Sequence, residues 1–215
     1  MNRPNAEAVA EQFAKDTEGF VLIVLHEEGE YRHLRFQKPA ERWGSTDIHT
    51  WPGGVVTSGD MADGWMFQRG LGFFANRVNL SYWEEKLARS CRATAKEFSE
   101  VTLRAELASA VMDFDVPESL RDELEDDVAH LIDSILAEHA GTNAALEQIS
   151  DFTFEKECPD WLESVNISFG DPYELDVEDY TWHYVWAAHV LHTAASWLAA
   201  GDARVIGSEV TVEAA

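Results

Sequence analysis

The sequence predicts an α+β fold, in which an N-terminal antiparallel β-meander packs against C-terminal helices. Three observations support this class. Residues 20–67 contain four or five short runs of strand-type residues, separated by turns rich in Gly and Pro. From about residue 80 the apolar residues recur instead at steps of three or four, which is the period of a helix. The last such segment, 180–200, is apolar all round, which is typical of a buried helix, and we expect it to lie centrally on the sheet.

A chain of 215 residues fits a single domain. We divide it into a sheet region with an N-terminal helix, 1–79, and an acidic helical region packed on that sheet, 80–215. The two regions are expected to form one compact domain.

The first elements follow from local pattern. Residues 4–16 have apolar positions at helical spacing and predict a short amphipathic helix. Phe20–Leu25 is a continuous aliphatic run, which predicts a strand buried on both faces. The turn at 28–30 predicts that the next strand pairs antiparallel with it.

The next strands alternate between apolar and polar residues. Tyr31–Phe36 and Thr46–Trp51 each place every second side chain on one face. The turn at 52–54 leads into a fourth strand over Val55–Thr57, and 65–67 predicts a fifth.

The helical region is predicted in three parts. Apolar spacing from Leu87 to Met112 predicts one long helix or two in series, and Pro117 restarts the pattern for a helix that runs to Gly141. Residues 151–179 predict a long loop with a strand at 165–169. The tail has two short runs, 204–206 and 210–212, which we interpret as weak edge strands or disorder.

One face of the predicted sheet gathers polar and aromatic side chains, with a further carboxylate near a strand end. These candidate ligand-binding residues are Tyr31, His33, Arg35, Asp47, His49, Trp51 and Asp60. An Arg fork beside aromatic planes suits a phosphate-bearing ligand. The same pattern is also typical of a solvated sheet face, or of one covered by the C-terminal helix.

Charge is the outlying property of the composition. The net charge is -24, and residues 105–215 alone contain 25 Asp and Glu against 3 Lys and Arg, a net of -22. The candidate partner-binding residues lie on the predicted helix after Pro117 and are Asp122, Glu123, Glu125, Asp126 and Asp127. Such a surface is typical of a solvated helix, but it also fits contact with a basic partner or, at the extreme, imitation of the DNA backbone.

Several classes of function are not expected. A strongly negative chain repels nucleic-acid phosphates, so we expect no direct nucleic-acid binding. Cys91 and Cys158 are too few and too far apart for a disulfide framework or a zinc site. The N-terminal residues lack the apolar core of a signal peptide, and the longest aliphatic run is too short to span a bilayer. We therefore expect a cytoplasmic protein without membrane contact.

Catalytic motifs are also missing, because the sequence contains no GxSxG, Walker or GxGxxG pattern. His189 and His192 are three apart on a predicted helix, and Asp47 and His49 are two apart on a strand. No additional ligand motif accompanies either pair, and a histidine flanked by Trp is more often a packed core residue. We therefore assign no metal, no cofactor and no catalytic residue.

Several of these motifs together resemble a family of uncharacterised proteins encoded by tailed bacteriophages and prophages. The resemblance covers roughly the first ninety residues and the last helix. It is carried by His33-Leu34-Arg35-Phe36, Asp47-Ile48, Thr50-Trp51-Pro52-Gly53, Gly59-Asp60-Met61, Tyr82-Trp83, Glu85-Lys86-Leu87, Tyr180-Thr181-Trp182-His183 and Trp186.

The resemblance implies a viral source and a bacterial host, not a mechanism. Together with the charge asymmetry and the missing motifs, it leads us to expect a non-enzymatic phage accessory protein. Its acidic surface would bind a host protein with a basic surface in the host cytoplasm and inhibit that host factor, for example in an anti-defence role. The alternative is binding, or hydrolysis, of a nucleotide-like small molecule on the polar face of the N-terminal sheet.

Overall fold

The protein forms two compact units in a computed structural model that describes residues 6–39, 41, 43–62, 64–138, 141–157 and 164–205. Residues 97–179 form the helical unit, and the segments on either side of it form the sheet unit. Each unit has a hydrophobic core of its own. The expected boundary at residue 79/80 does not coincide with this division, because the chain leaves the sheet unit after Lys96 and returns to it at Tyr180. The expected single compact domain is likewise replaced by two units.

The sheet unit begins with a helix and the predicted meander. These elements are α1 (Ala6–Asp16), β1 (Val21–Glu28), β2 (Tyr31–Gln37), β3 (Thr46–Trp51), β4 (Gly54–Gly59) and β5 (Met66–Phe67). Consecutive strands pair antiparallel from β1 to β5, so the predicted α+β class and its N-terminal antiparallel sheet are confirmed. Leu22, Ile23 and Val24 of β1 are buried, as predicted for a strand covered on both faces, but Leu25 at the end of the predicted run is 43% exposed.

The prediction of one long helix, or two in series, from Leu87 to Met112 is wrong at its start. Residues 71–92 instead form a 3₁₀-helix (Leu71–Ala75) and two short helices, α2 (Leu80–Glu84) and α3 (Arg89–Arg92). Leu87 bridges to Phe67 of β5, and the Ala88 amide donates to the Met66 carbonyl at 2.8 Å. These bonds hold the chain extended beside the sheet at the point where a continuous helix would have run. The apolar residues of this segment therefore belong to several short elements and not to one continuous helix.

The helical unit contains three longer helices and several short strands. In chain order these elements are β6 (Lys96–Phe98), α4 (Glu100–Asp113), α5 (Glu118–Ala137), α6 (Thr142–Asp151), β7 (Phe154–Lys156), β8 (Val165–Ile167) and β9 (Glu178–Tyr180). The first residue of β6 and the last residue of β9 belong to the sheet unit. Strand β7 pairs with β8 and β6 with β9. The predicted loop 151–179 therefore holds a hairpin, whose second strand lies within the predicted 165–169. The Ser99 side chain caps α4 by accepting from the Thr102 amide.

The last helix, α7 (Trp182–Ala200), returns to the sheet unit and shares its core with the meander, as predicted. It begins at Thr181, whose side chain accepts from the Tyr184 amide, and stops at the left-handed Gly201. Strand β10 (Arg204–Val205) then pairs parallel with β1, which gives the sheet order β10-β1-β2-β3-β4-β5. Part of the predicted 204–206 strand is thus confirmed, whereas 210–212 lies outside the described residues.

Candidate functional site

One face of β2 and β3 carries the predicted polar cluster. Leu34, Phe36 and Ile48 are no more than 1% exposed and point into the core, so their neighbours along each strand lie on the opposite face. That opposite face, which we call the polar sheet face, carries six of the seven candidate ligand-binding residues: Tyr31, His33, Arg35, Asp47, His49 and Trp51. In the β2–β3 register, His33 lies opposite His49, and Arg35 lies opposite Asp47.

Arg35 and Asp47 form a two-point ion pair across the strands. The Arg35 Nε donates to Asp47 Oδ1 at 2.6 Å, and Nη2 donates to Oδ2 at 2.8 Å. A bidentate pair of this kind fixes the orientation of both planar groups. Because its fork is occupied in this way, Arg35 would have to leave Asp47 before it could hold a ligand phosphate with the same two nitrogens.

His33 and His49 stack beside this pair. Their ring centroids are 4.3 Å apart, and their planes differ by 26°. His33 Nε2 lies 3.4 Å from Asp47 Oδ2, which is an ion-pair distance, but this buried nitrogen has no hydrogen-bond partner among the described residues. His49 Nε2 lies 3.5 Å from the Ser58 hydroxyl, at the long limit of a hydrogen bond.

The surroundings of these groups set their protonation. The hydrogen bonds from Arg35 hold the pKa of the Asp47 carboxyl below its ordinary value; partial burial works against them, and His33 adds a smaller lowering. Burial lowers the pKa of the His49 imidazole, and His33 lowers it further, whereas Asp47 opposes the change. Asp47 is therefore ionised at neutral pH, and neutral His49 is favoured.

The polar sheet face also groups side chains of the metal-ligating types. Among the residues that the structure describes, His33, Asp47 and His49 are the only group of three or more His, Cys, Asp or Glu side chains whose ligand atoms all lie within 4.8 Å of one another. The sequence alone indicates only the Asp47–His49 half of this group, and that pair by itself predicts no metal site. The third member comes from the neighbouring strand, through the β2–β3 register.

The other predicted ligand-binding residues have different surroundings. Tyr31 is 57% exposed at the start of β2. The Trp51 ring covers Gly54, where an added Cβ would lie 2.1 Å from the indole. Asp60 is separate from the cluster, because its carboxylate accepts from the Gly44 amide at 2.8 Å and braces the loop before β3.

Two residues of this face were missed at the sequence level. Ser58 of β4 lies opposite Asp47, and His26 of β1 lies opposite His33. The turn at 52–54 fixes the β3–β4 register and could have revealed Ser58. His26 was harder to place, because the β1–β2 register shifts between Val24 and His26.

The His189–His192 pair, by contrast, does not form such a group. The His189 ring packs 5.4 Å from the Phe13 ring, and burial lowers its pKa. His192 Nδ1 lies 3.0 Å from the Phe74 carbonyl oxygen. Both rings take part in packing within the sheet unit, as the sequence favoured.

The acidic candidates lie on α5, turned away from the core of the helical unit. Leu124, Val128, Ile132 and Ile135 form the buried side of this helix. Of the five candidates, Asp122, Glu123, Glu125 and Asp126 are exposed and Asp127 is half-buried. Asp122 and Asp126 are four apart and lie opposite the buried side.

The division into units concentrates the negative charge further. Residues 97–179 contain 24 Asp and Glu against 3 Lys and Arg, a net of -21, which leaves -3 for the rest of the chain. The three basic side chains are engaged within the unit. Arg104 contacts Glu100 and Asp133, Lys156 pairs with Glu123, and Arg121 donates to the Val111 and Phe114 carbonyls at the C-terminal end of α4. Most of the carboxylate charge therefore has no basic side chain within the unit to offset it.

No known family model, curated protein or solved structure matches the chain.

Within the described part of the chain, every helix is too short or too polar to cross a membrane. The two surfaces that stand out are the polar sheet face and the acidic surface of α5, each on a different unit.

Proposed function

We propose that this protein is a non-enzymatic binding protein, whose acidic helical unit docks a partner protein with a basic surface. The observation that carries the proposal is the concentration of -21 of the net -24 charge on residues 97–179. In the setting implied by the resemblance to phage proteins, the partner is a host protein in the bacterial cytoplasm, and binding inhibits it.

The arrangement of α5 supports a surface made for a partner. Like charges at i and i+4, such as Asp122 with Asp126 and Glu123 with Asp127, each cost an isolated helix about 0.2–0.5 kcal/mol. Among the five candidates, Glu123 forms an ion pair with Lys156, and Asp127 is near enough to add to the raised pKa of the same ammonium. A basic partner would relieve this repulsion and would be steered to the surface over long range.

The experiment compares the wild-type chain with a variant that carries Asp122→Asn, Glu123→Gln, Asp126→Asn and Asp127→Asn. Proteins captured from a bacterial host lysate are identified, and the affinity of a purified captured protein is then measured at several salt concentrations. We expect the affinity to fall steeply with salt. The variant should bind roughly 30-fold more weakly, because four charge pairs at a mid-range value of about 0.5 kcal/mol each sum to about 2 kcal/mol.

A matched control neutralises four exposed carboxylates of the sheet unit, Glu7, Glu11, Glu18 and Glu30, to Gln. This control changes the net charge by the same amount and should leave the affinity within a few-fold of the wild type. Binding that is independent of salt, or equal losses in the two variants, would show that the acidic unit is not the contact surface.

The alternative function, a nucleotide-like ligand on the polar sheet face, is favoured less by the geometry. Its Arg35 fork is already occupied by Asp47, and Trp51 covers the β3–β4 turn. This function predicts that nucleotides raise the melting temperature and that Arg35→Ala removes the effect. If no nucleotide changes the melting temperature, this alternative is contradicted and partner binding remains as the proposed function.

A further inference from the structure

We propose that His33, Asp47 and His49 bind one divalent transition-metal ion, and that Zn²⁺ is the ion that their ligand set fits best. This site lies on the sheet unit, and it is independent of the partner surface proposed above. Two imidazole nitrogens and one carboxylate oxygen are ligands that Zn²⁺ commonly takes, whereas Mg²⁺ and Ca²⁺ prefer oxygen alone.

The backbone brings the three ligands together without any loop rearrangement. The β2–β3 register sets His33 directly opposite His49, and it sets Asp47 opposite the residue two positions beyond His33. All three side chains project from the same face of two hydrogen-bonded strands. Strand pairing therefore brings a third ligand, His33, beside Asp47 and His49, which on their own offer only two ligands.

The distances fit a small ion. Ligand atoms about 2.0–2.1 Å from a tetrahedral Zn²⁺ lie about 3.3–3.4 Å from one another. His33 Nε2 and Asp47 Oδ2 are already 3.4 Å apart. The remaining separations within the group are at most 4.8 Å, which small side-chain rotations can close.

The buried nitrogen of His33 points to a ligand. Its Nε2 lies out of contact with solvent and has no partner in hydrogen-bond geometry among the described residues; Asp47 Oδ2, 3.4 Å away, is at ion-pair distance only. Metal coordination would satisfy this nitrogen through its lone pair. The neighbouring Asp47 oxygen would then bind the same ion rather than face the nitrogen at 3.4 Å.

Arg35 orients Asp47 for this role. Its two hydrogen bonds hold the plane of the Asp47 carboxylate, as hydrogen bonds to metal-ligating side chains commonly do.

The site is open on its outer side. All three side chains are only partly buried, so an ion can reach this face from solvent, and a rotation of the His33 ring would bring its buried Nε2 to the ion. Three protein ligands leave at least one coordination position for water or another donor. His26 is exposed and pairs with His33 in the β1–β2 register, which places it beside His33 on the neighbouring strand.

The test uses the full-length chain without an affinity tag, stripped of metal by a chelator and then titrated with Zn²⁺ by calorimetry and by competition with a chromophoric chelator. We expect one tight equivalent, which an equal concentration of Mg²⁺ does not displace. His33→Ala and His49→Ala should each weaken it at least about tenfold, since loss of even an outer-shell partner commonly costs about 10–100-fold.

Two controls separate this site from other binding. His183→Ala removes an exposed histidine at the start of α7 and should leave the tight equivalent unchanged, as should neutralisation of Asp122, Glu123, Asp126 and Asp127. A measurement on the wild type covers the case in which a variant fails to fold: Zn²⁺ should shift the NMR signals of the His33 and His49 ring nitrogens and spare those of His183. Absence of a tight equivalent, wild-type affinity in both alanine variants, or unmoved ring signals would overturn the proposal.

Discussion

Arg35 donates two hydrogen bonds to the two carboxylate oxygens of Asp47, at 2.6 and 2.8 Å, across the β2–β3 pair. Neither residue is fully buried, because 38% of the Arg35 side chain and 20% of the Asp47 side chain remain exposed. We therefore expect the contribution of this pair to stability to lie between that of a surface ion pair, about 0–1 kcal/mol, and that of a charge-assisted hydrogen bond, about 1.5–3 kcal/mol. It connects the two middle strands of the meander on their polar side.

We expect Asp47→Asn to lower the free energy of unfolding by about 1 kcal/mol at pH 7. The pKa of Asp47 is lowered in the folded state, so its contribution is present above the ordinary Asp pKa of about 3.9 and is lost as the pH falls through the folded-state value. Urea denaturation of wild type and variant between pH 7 and pH 2, with a chelator present, measures this difference. It should shrink towards zero in acid.

The control for this prediction is Glu30→Gln, an exposed carboxylate at the β1–β2 turn. It should change stability by no more than about 0.5 kcal/mol. A difference between Asp47→Asn and wild type that stayed constant down to pH 2 would mean that the ionised pair is not the source of the stability.

The polar sheet face was predictable because its signals are local. Alternation with a period of two assigns faces within a strand, and the turn at 52–54 fixes how β3 meets β4. Helix α7 was predictable for a similar reason, because a segment that is apolar on all sides can be recognised from its own residues. What alternation could not show is that Arg35 and Asp47 satisfy each other, since that depends on the register of β2 against β3.

The segment that follows the meander could not be predicted for a different reason. Apolar residues at steps of three or four fit one helix, but they fit equally well a series of short elements that pack on different neighbours. Ala88 bonds to Met66, more than twenty positions away, and such a contact leaves no trace in a local window. The split of the chain into two units likewise depends on long-range contacts on either side of 97–179.

Tyr184 provides a test of the core beneath the sheet. Its hydroxyl donates to the Leu80 carbonyl at 2.7 Å, and the side chain is fully buried beside Trp65 and Phe67. We expect Tyr184→Phe to lower the free energy of unfolding by about 1 kcal/mol at pH 8, because a buried hydrogen bond is lost. Tyr173→Phe alters a tyrosine that is 68% exposed and should be nearly neutral.

The pH dependence of this effect has a definite sign. Burial raises the pKa of Tyr184 far above its ordinary value, with smaller contributions from Tyr180 and Glu84. The resulting stability is therefore present below the ordinary Tyr pKa of about 10 and falls as the pH rises above it, because only the unfolded chain ionises there. The wild type should thus lose its advantage over Tyr184→Phe between pH 10 and pH 11 in urea denaturation. If the difference in free energy of unfolding between wild type and Tyr184→Phe grew with pH, the conclusion that Tyr184 is buried in its protonated form would be wrong.

The acidic unit must have a firm core if its exposed carboxylates are to form a fixed surface, and α4 offers a matched pair of positions to test this. Leu107 is fully buried in the core of the helical unit, whereas Val101, on the same helix, is 50% exposed. Leu107→Ala should lower the free energy of unfolding by about 2–5 kcal/mol, from lost apolar burial and the cavity left behind. Val101→Ala should change it by about 0.5 kcal/mol or less. Urea denaturation followed by far-ultraviolet circular dichroism compares the two, and losses of similar size would mean that 97–179 lacks the closed core on which the proposed partner surface depends.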